Sequence, residues 1–169
     1  GPLAAGRRGL GAQAAVLTPL AFAAYVAVFK HDLKGLLAYS TISHLGLIVF
    51  LLGANSPLAK VAAVFHVMNH ATFKASLFMT AGIIDHETGT RDMRKLAGLL
   101  RFMPWTATLA MVAAASMAGV PLANGFLSKE MFFDEALRSS ALWGWGVPVV
   151  ATLAGICSVA YSLRFIHDV

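Results

Sequence analysis

The sequence has 169 residues, of which 58% are hydrophobic and only 12% are charged. Soluble domains carry about 25% charged residues, so this composition excludes an ordinary water-soluble fold. The mean hydropathy of +0.72 indicates a surface that faces lipid. The net charge of +5 does not indicate a nucleic-acid partner, because the basic residues fall between apolar runs and form no continuous basic face.

The apolar runs predict an all-α, polytopic bundle of transmembrane helices. One span needs about 20 largely apolar residues, and the sequence offers about five such segments. A turn at Asn55-Ser56-Pro57 ends the second, and the polar segment 85–101, dense in both charges, follows the third. Lys and Arg collect in this segment, which predicts that it faces the cytoplasm. The predicted spans are residues 9–29, 35–54, 58–84, 104–137 and 143–165.

The third span carries the clearest chemical signal. His66, His70 and Lys74 follow one another at intervals of four residues, and Asn69 shares their face. Four residues advance a helix by one turn plus about 40°, so the three ionisable groups form one stripe about 12 Å long. Ionisable groups inside a span normally face a bundle interior or a hydrated path. Histidine titrates near neutral pH, and a lysine in an apolar interior can release its proton.

Two other interpretations of this stripe remain open. The polar side chains could simply hold neighbouring helices together by hydrogen bonds. A metal site is less favoured, because no carboxylate or thiolate accompanies the two histidines on this helix. The sequence predicts no metal and no cofactor: it has one cysteine, Cys157, and no Gly-rich loop of the nucleotide-binding kind.

The fourth span is predicted to be a discontinuous helix. Gly119, Pro121 and Gly125 interrupt it, and proline removes a helical hydrogen bond and clashes with the preceding turn. Broken helices at membrane depth line cavities or ion sites in transporters. Lys129 and Glu130 follow the break, and they either belong to such a site or lie where the helix reaches water.

The remaining polar residues allow a structural interpretation. Lys34 fits an interfacial lysine whose stem lies in the apolar layer. His44 shares a stripe with Ser40 and Ser43 that predicts helix contacts, with a place in a relay as the alternative. Lys60 points away from the histidine stripe.

Three stretches resemble the antiporter-like subunits shared by Mrp-type cation/proton antiporters and respiratory complex I. The first is Asp32-Leu-Lys-Gly-Leu-Leu-Ala-Tyr-Ser-Thr-Ile-Ser-His-Leu-Gly46. The second is Phe65-His-Val-Met-Asn-His-Ala-Thr-Phe-Lys-Ala-Ser-Leu-Phe78, and the third is Gly119-Val-Pro-Leu-Ala-Asn-Gly-Phe-Leu-Ser-Lys-Glu130. Within this family, two stretches resemble most the large A-type subunit of the Mrp antiporters, also called Mnh or Pha. They are Asn69-His-Ala-Thr-Phe-Lys74 and the loop Asp85-His-Glu-Thr-Gly-Thr-Arg-Asp92.

This resemblance implies a proton relay with no cofactor. His66, His70 and Lys74 would lie on a central hydrophilic axis, Lys129 would be the ionisable residue of the broken helix, and Lys34 would be the signature lysine. Glu130, His44 and Asn69 would be accessory. The sequence would cover most of the second of two repeats, corresponding to about the ninth to thirteenth helices of a longer subunit, without the half-channel through which protons enter.

The predicted function is therefore part of a multi-pass, cell-membrane subunit that translocates protons in a multisubunit sodium/proton antiporter. It would be a secondary transporter and not an enzyme, with other membrane subunits, lipid, protons and sodium as partners. Two alternatives stay open. One is the proton-pumping membrane subunit of NADH:quinone oxidoreductase (complex I), where the chain would serve a redox-driven translocase. The other is a non-conducting structural subunit. The residues leave the transported cation and the stoichiometry open.

Overall fold

The computed structural model describes residues 2–54 and 56–168, and it describes side chains for residues 14–138 and 144–168 within those ranges. The predicted turn residue Asn55 lies outside them. The described residues form helices and no strand. The helices are α1 (Pro2–Phe29), α2 (Leu33–Gly53), α3 (Pro57–Thr88), α4 (Leu99–Phe102), α5 (Pro104–Ala118), α6 (Asn124–Trp143) and α7 (Gly146–Asp168), with a 3₁₀ turn at Met93–Lys95.

The described helices bear out the all-α bundle predicted from the apolar runs. Two of them, α2 and α7, are long and apolar enough by themselves to cross a bilayer, and residues 14–29 of α1 form a shorter apolar helix. The helix α3 has 32 residues, or about 48 Å at 1.5 Å per residue, although its polar groups lower its mean hydropathy. The helices α5 and α6 are the two halves of the predicted discontinuous helix.

Local capping explains where α2 and α3 begin and where α3 ends. Asp32 accepts a hydrogen bond from the Gly35 N–H and Ser56 accepts one from the Ala59 N–H, so each side chain pairs a backbone donor that the first turn leaves free. Gly89 follows the last residue of α3 and has a φ of 68°, in the left-handed region. A residue in this conformation ends a right-handed helix. The helix therefore runs four residues beyond the predicted end at residue 84.

The bundle exposes apolar side chains and buries polar ones. Phe22, Leu52, Val64, Met79 and Ile156 are all more than half exposed. This arrangement suits a lipid solvent, in which every interior polar group must find its partner within the bundle. Among the side chains that the structure describes, the buried polar ones are Ser40, Ser43, His44, His66, Asn69, Lys74, Thr80, Ser128, Glu135, Ser158 and Ser162.

The chain connections bring the polar segment after α3 to the same end of the bundle as the α1–α2 connection. The Leu33 N–H donates to the Arg91 carbonyl and the Met93 N–H donates to the His31 carbonyl, both at 2.9 Å. These two bonds form an isolated antiparallel bridge between Asp32 and Asp92. Arg164 of α7 also reaches this end, where it donates to the Val28 carbonyl.

The break between α5 and α6 depends on two glycines. Gly119 has a φ of 84°, in the left-handed region that favours glycine. Gly125 lies so close to α5 that an added Cβ would stand 1.9 Å from the Ser116 carbonyl oxygen. That oxygen belongs to the backbone and cannot turn aside, so a larger residue at position 125 must push the two half-helices apart.

We expect Gly125→Ala to destabilise the full-length subunit by roughly 1–3 kcal/mol, the usual cost of overpacking. The measurement is the midpoint of thermal unfolding in detergent. Gly82→Ala is the matched control, because an added Cβ at Gly82 meets nothing within 4 Å and alanine favours a helix interior. An unchanged midpoint for Gly125→Ala would show that the half-helices tolerate separation.

Candidate functional site

The candidate site lies inside the bundle, where α2, α3, α6 and α7 meet. The stripe predicted on α3 faces inward: His66 and Lys74 are buried, as is Asn69, and His70 is half-buried. Lys60 is exposed, as its position off the stripe predicts. The same helix thus turns one ionisable face into the bundle and leaves its other lysine outside.

The two inner histidines of α2 and α3 are hydrogen-bonded to each other. His44 Nδ1 lies 3.0 Å from His66 Nε2, and His66 Nδ1 lies 3.0 Å from the Ser128 hydroxyl. The two rings are nearly parallel, with centroids 5.2 Å apart. His44, predicted mainly as a helix-contact residue with a relay role as the alternative, therefore occupies the centre of the group.

Two residues of α7 continue this group toward the broken helix. The Tyr161 hydroxyl lies 3.4 Å from His44 Nε2 and 3.1 Å from Ser158 Oγ, and Lys129 Nζ donates to Ser158 Oγ at 2.8 Å. Six side chains are thus joined end to end, and we call them the polar row. The polar row consists of Ser128, His66, His44, Tyr161, Ser158 and Lys129.

Lys129 also stabilises the break itself. Its ammonium donates to the Ala118 carbonyl at 3.0 Å, and Ala118 is the last residue of α5. The last four carbonyls of a helix lack partners within the helix, and cations near them are favourable. The Lys129 side chain is half-buried and its stem lies against Gly119.

Lys74 has a separate anchor on α2. Its Nζ donates to the Leu37 carbonyl at 3.1 Å and to the Ser40 hydroxyl. The ring of His70, one turn back along α3 from Lys74, lies beside the polar row, with its centroid 5.3 Å from that of His44. His70 Nε2 is buried and has no hydrogen-bond partner among the described residues.

Asn69 and Glu130 occupy the edges of the site. Asn69 Nδ2 donates to the Asn124 carbonyl at 3.1 Å and so holds α3 to the first residue of α6. Glu130 is exposed and lines an open groove between α6 and α7 of about 760 Å³. The structure therefore places Asn69 beside the polar row and Glu130 outside it.

Lys34 lies apart from the other predicted site residues. Its Nζ pairs with the Asp85 carboxylate at 2.7 Å, where the α1–α2 connection meets the end of α3. Arg91 approaches the same carboxylate at 3.5 Å. The hydrogen bond from Lys34 holds the pKa of Asp85 below its ordinary value, and partial burial opposes this effect.

Sequence reasoning missed Ser128, Ser158 and Tyr161. The signal for the last two was present in α7. Tyr161 and Ser162 follow Ser158 by three and four residues, so all three lie on one face of the helix. The described residues contain no group of three or more His, Cys, Asp or Glu placed to hold a metal ion. Lys74 and Lys129 form no ion pair with a described carboxylate, and their hydrogen-bond partners are neutral oxygens.

Residues 13–155 match the NADH:quinone oxidoreductase/Mrp antiporter transmembrane family. The chain belongs to this family. It is 69% identical over 155 residues to a probable K(+)/H(+) antiporter protein of the A/B subunit type from Rhizobium meliloti, a match that covers 90% of this chain and 16% of that protein. It is 51% identical over 158 residues to the A-type subunit of the Na(+)/H(+) antiporter of Alkalihalophilus pseudofirmus, with 81% and 20% covered. The chain thus spans about a fifth of the length of these relatives.

Solved structures share the fold. The Mrp complex from Dietzia sp. contains a chain that is 46% identical with a TM-score of 0.83, and the match covers 90% of this chain and 17% of that one. Respiratory complex I from Thermus thermophilus contains one that is 27% identical with a TM-score of 0.82, covering 95% and 34%. Family membership identifies this as a multi-pass chain of the cell membrane, and the relatives named above are antiporter subunits, which are transporters and not enzymes.

The Lys34–Asp85 pair predicts a pH effect on the segment after α3. A carboxyl with a lowered pKa in the folded state adds stability above its unfolded pKa, and this contribution is lost as the pH falls below about 4. We expect amide hydrogen exchange in residues 89–98 of the full-length subunit, corrected for intrinsic rates, to accelerate on acidification. Asp85→Asn should remove part of that dependence, and Asp92, whose pKa is lowered by the hydrogen bond from Arg94, contributes to the remainder.

Glu87→Gln is the control for this measurement, because Glu87 is exposed and its carboxylate contacts only the neighbouring His86. The prediction is wrong if Asp85→Asn and Glu87→Gln have the same exchange at every pH.

Proposed function

We propose that this chain is the part of a proton-translocating subunit of a multisubunit monovalent cation/proton antiporter through which protons are relayed. The observation that carries the proposal is the placement of two lysines, Lys74 and Lys129, inside an apolar bundle with neutral hydrogen-bond partners and with histidines between them. Ionisable groups at membrane depth are costly, and a hydrated or hydrogen-bonded route for ions is their usual role.

Each proposed relay residue has a distinct part. Lys74 accepts and releases a proton at the α2 side, where Leu37 and Ser40 supply acceptors for its charged form. His70 and His66 lie one and two turns back along α3, and either ring can pass a proton between its two nitrogens. Lys129 receives the proton at the broken helix, where the end of α5 favours a cation.

The edge residues fit supporting parts in the same function. The Lys34–Asp85 pair lies at the end of the bundle, where a charged pair can influence Lys74 without belonging to the row. Glu130 lies on the groove surface beside Lys129, and we assign it an accessory role toward a neighbouring subunit or another part of the same one. Asn69 fixes the distance between α3 and α6.

The exchanged cation is sodium or potassium in this proposal. The names of the relatives divide between K(+)/H(+) and Na(+)/H(+) antiporter subunits. The partners are the other membrane subunits of the complex and the surrounding lipid, and the chain represents most of the second repeat of its subunit. The whole transport activity belongs to the assembled complex.

A redox-driven complex is the second candidate. It is favoured by the structural likeness to complex I and to the membrane-bound sulfane sulfur reductase, whose matching chain is 28% identical with a TM-score of 0.85. The identities of 69%, 51% and 44% to antiporter subunits are higher, and we therefore place the antiporter first. The non-conducting structural subunit is the third candidate, and the experiment below separates it.

We expect Lys74→Ala to lower cation-driven proton exchange at least about tenfold, because loss of one proton-transfer group commonly costs a factor of about 10² to 10⁴. The measurement is the dissipation of a pH gradient by added sodium or potassium in everted vesicles that carry the complete complex. Variant and wild type are compared at equal amounts of the complex in the membrane.

Lys60→Ala is the matched control, since it removes an exposed lysine from the same helix. Normal exchange in Lys74→Ala would reject the relay, and the polar face would then serve only to hold neighbouring helices together by hydrogen bonds. A wild-type complex without exchange under either cation would instead favour the redox-driven candidate.

A further inference from the structure

The polar row has a property that its individual residues lack: it can exist in two opposite hydrogen-bond directions. Five hydrogen bonds join its six members, with lengths of 3.0, 3.0, 3.4, 3.1 and 2.8 Å from Ser128 to Lys129. Hydroxyls and neutral imidazoles each offer one donor and at least one acceptor. Every inner member can therefore donate to either neighbour while it accepts from the other.

A charged Lys129 excludes one of the two directions. An ammonium has three donors and no acceptor, so Lys129 must donate to Ser158. In the direction compatible with this bond, Ser158 donates to Tyr161, the reverse of the bond in the structure, where Tyr161 donates to Ser158. Tyr161 then donates to His44 Nε2. His44 carries its proton on Nδ1 and donates to His66 Nε2, and His66 in turn donates from Nδ1 to the Ser128 hydroxyl. Ser128 completes this direction by donating to the Gly125 carbonyl, 3.2 Å away.

A neutral Lys129 permits the opposite direction. Its nitrogen then has a lone pair that accepts the Ser158 proton, Tyr161 donates to Ser158, and His44 donates to Tyr161 from Nε2. His66 also carries its proton on Nε2 and donates to His44, while Ser128 donates to His66. Both imidazoles therefore change tautomer together between the two directions.

The conversion between the two directions balances as one proton transfer. In each of the five bonds the hydrogen moves to the other heavy atom, so Lys129 loses one proton and Ser128 gains one from His66. Ser128 releases its original hydroxyl proton, and this step requires a water molecule as the acceptor. Each of the four inner residues gives one proton and receives one. Lys129 is the only charged member before the conversion, and no member is charged after it.

We propose that the charge of Lys129 sets the direction of the polar row, and that Tyr161 and Ser158 are the positioning residues that transmit it to the histidines. The proposal rests on the relay function given above and adds α7 to it. The bond between Tyr161 and His44 is the longest of the five, and a cavity of about 20 Å³ lies beside it, lined by His44, Ser158, Tyr161 and Lys129 among others.

The first test is the exchange assay on the complete complex with Tyr161→Phe, which keeps the ring and removes the hydroxyl. We expect exchange to fall at least about tenfold, equivalent to about 1.4 kcal/mol in the barrier. Ser158→Ala should do the same and Ser158→Thr should retain exchange, because threonine restores the hydroxyl. Ser162→Ala is the matched control: Ser162 is buried on the same helix, but its hydroxyl donates only to the Ser158 carbonyl of its own helix.

The second test reads the direction itself. Solid-state ¹⁵N NMR of histidine-labelled complex in lipid reports which ring nitrogen carries the proton, and His44→Gln and His66→Gln identify the two signals. We expect both rings to hold the proton on Nδ1 while Lys129 is charged and to convert together to Nε2 as the pH is raised and Lys129 loses its charge. His70 and Lys74, the other ionisable groups beside these rings, both belong to α3 and stay unchanged in the variants.

In Tyr161→Phe the joint conversion should disappear, as it should in Lys129→Met, whereas Ser162→Ala should keep it. Opposite tautomers on the two rings in the wild type would overturn the proposal, as would an intact conversion or normal exchange in Tyr161→Phe. Such a result leaves the proposed function standing if Lys74→Ala still lowers exchange at least about tenfold. The two proposals therefore fail separately.

Discussion

The need to pair polar groups inside a bundle whose outer surface is apolar governs this structure. Lipid offers no hydrogen bonds, so a buried polar group must find its partner on another helix or on its own. Among the buried side-chain atoms of the described residues, His70 Nε2 is the exception. Lys129 meets this need by donating to the Ala118 carbonyl, which lacks a partner within the helix because α5 ends at Ala118. The lysine and the break in the helix are thus one feature, and the two glycines that allow the break are part of the same arrangement.

The second lysine meets the same need in a different way. Lys74 uses the Leu37 carbonyl, which lies inside the continuous helix α2 and also accepts hydrogen bonds from the Ser40 and Thr41 hydroxyls. Hydroxyls that donate back to their own helix are common in membrane helices. Here they bring a carbonyl and a hydroxyl oxygen together at one point on α2. The two lysines therefore have unequal surroundings, one at a helix end and one against a helix side.

Much of this architecture could be predicted from the sequence, for reasons that particular residues illustrate. The spacing of His66, His70 and Lys74 is local, and a helix turns it into a shared face without further information. Gly119, Pro121 and Gly125 predict the break for the same reason. The pairing of Lys34 with Asp85 joins residues 51 positions apart, and no local periodicity encodes it. Ser158 and Tyr161 could not be predicted as site residues, because a serine and a tyrosine do not interrupt an apolar run. Such hydroxyls can also bond within their own helix, as Ser162 does.

The short bridge between Asp32 and Asp92 has a consequence for the interior. It fastens the segment after α3 to the start of α2 through two backbone hydrogen bonds, and the Lys34–Asp85 pair adds a side-chain tie beside it. Helices α2 and α3 therefore cannot slide along each other at this end without breaking all three. The height at which His44 meets His66 is consequently fixed from outside the membrane interior, by residues that never touch either ring. The alignment of the two imidazoles is a property of the connecting segments as much as of the helices that carry them.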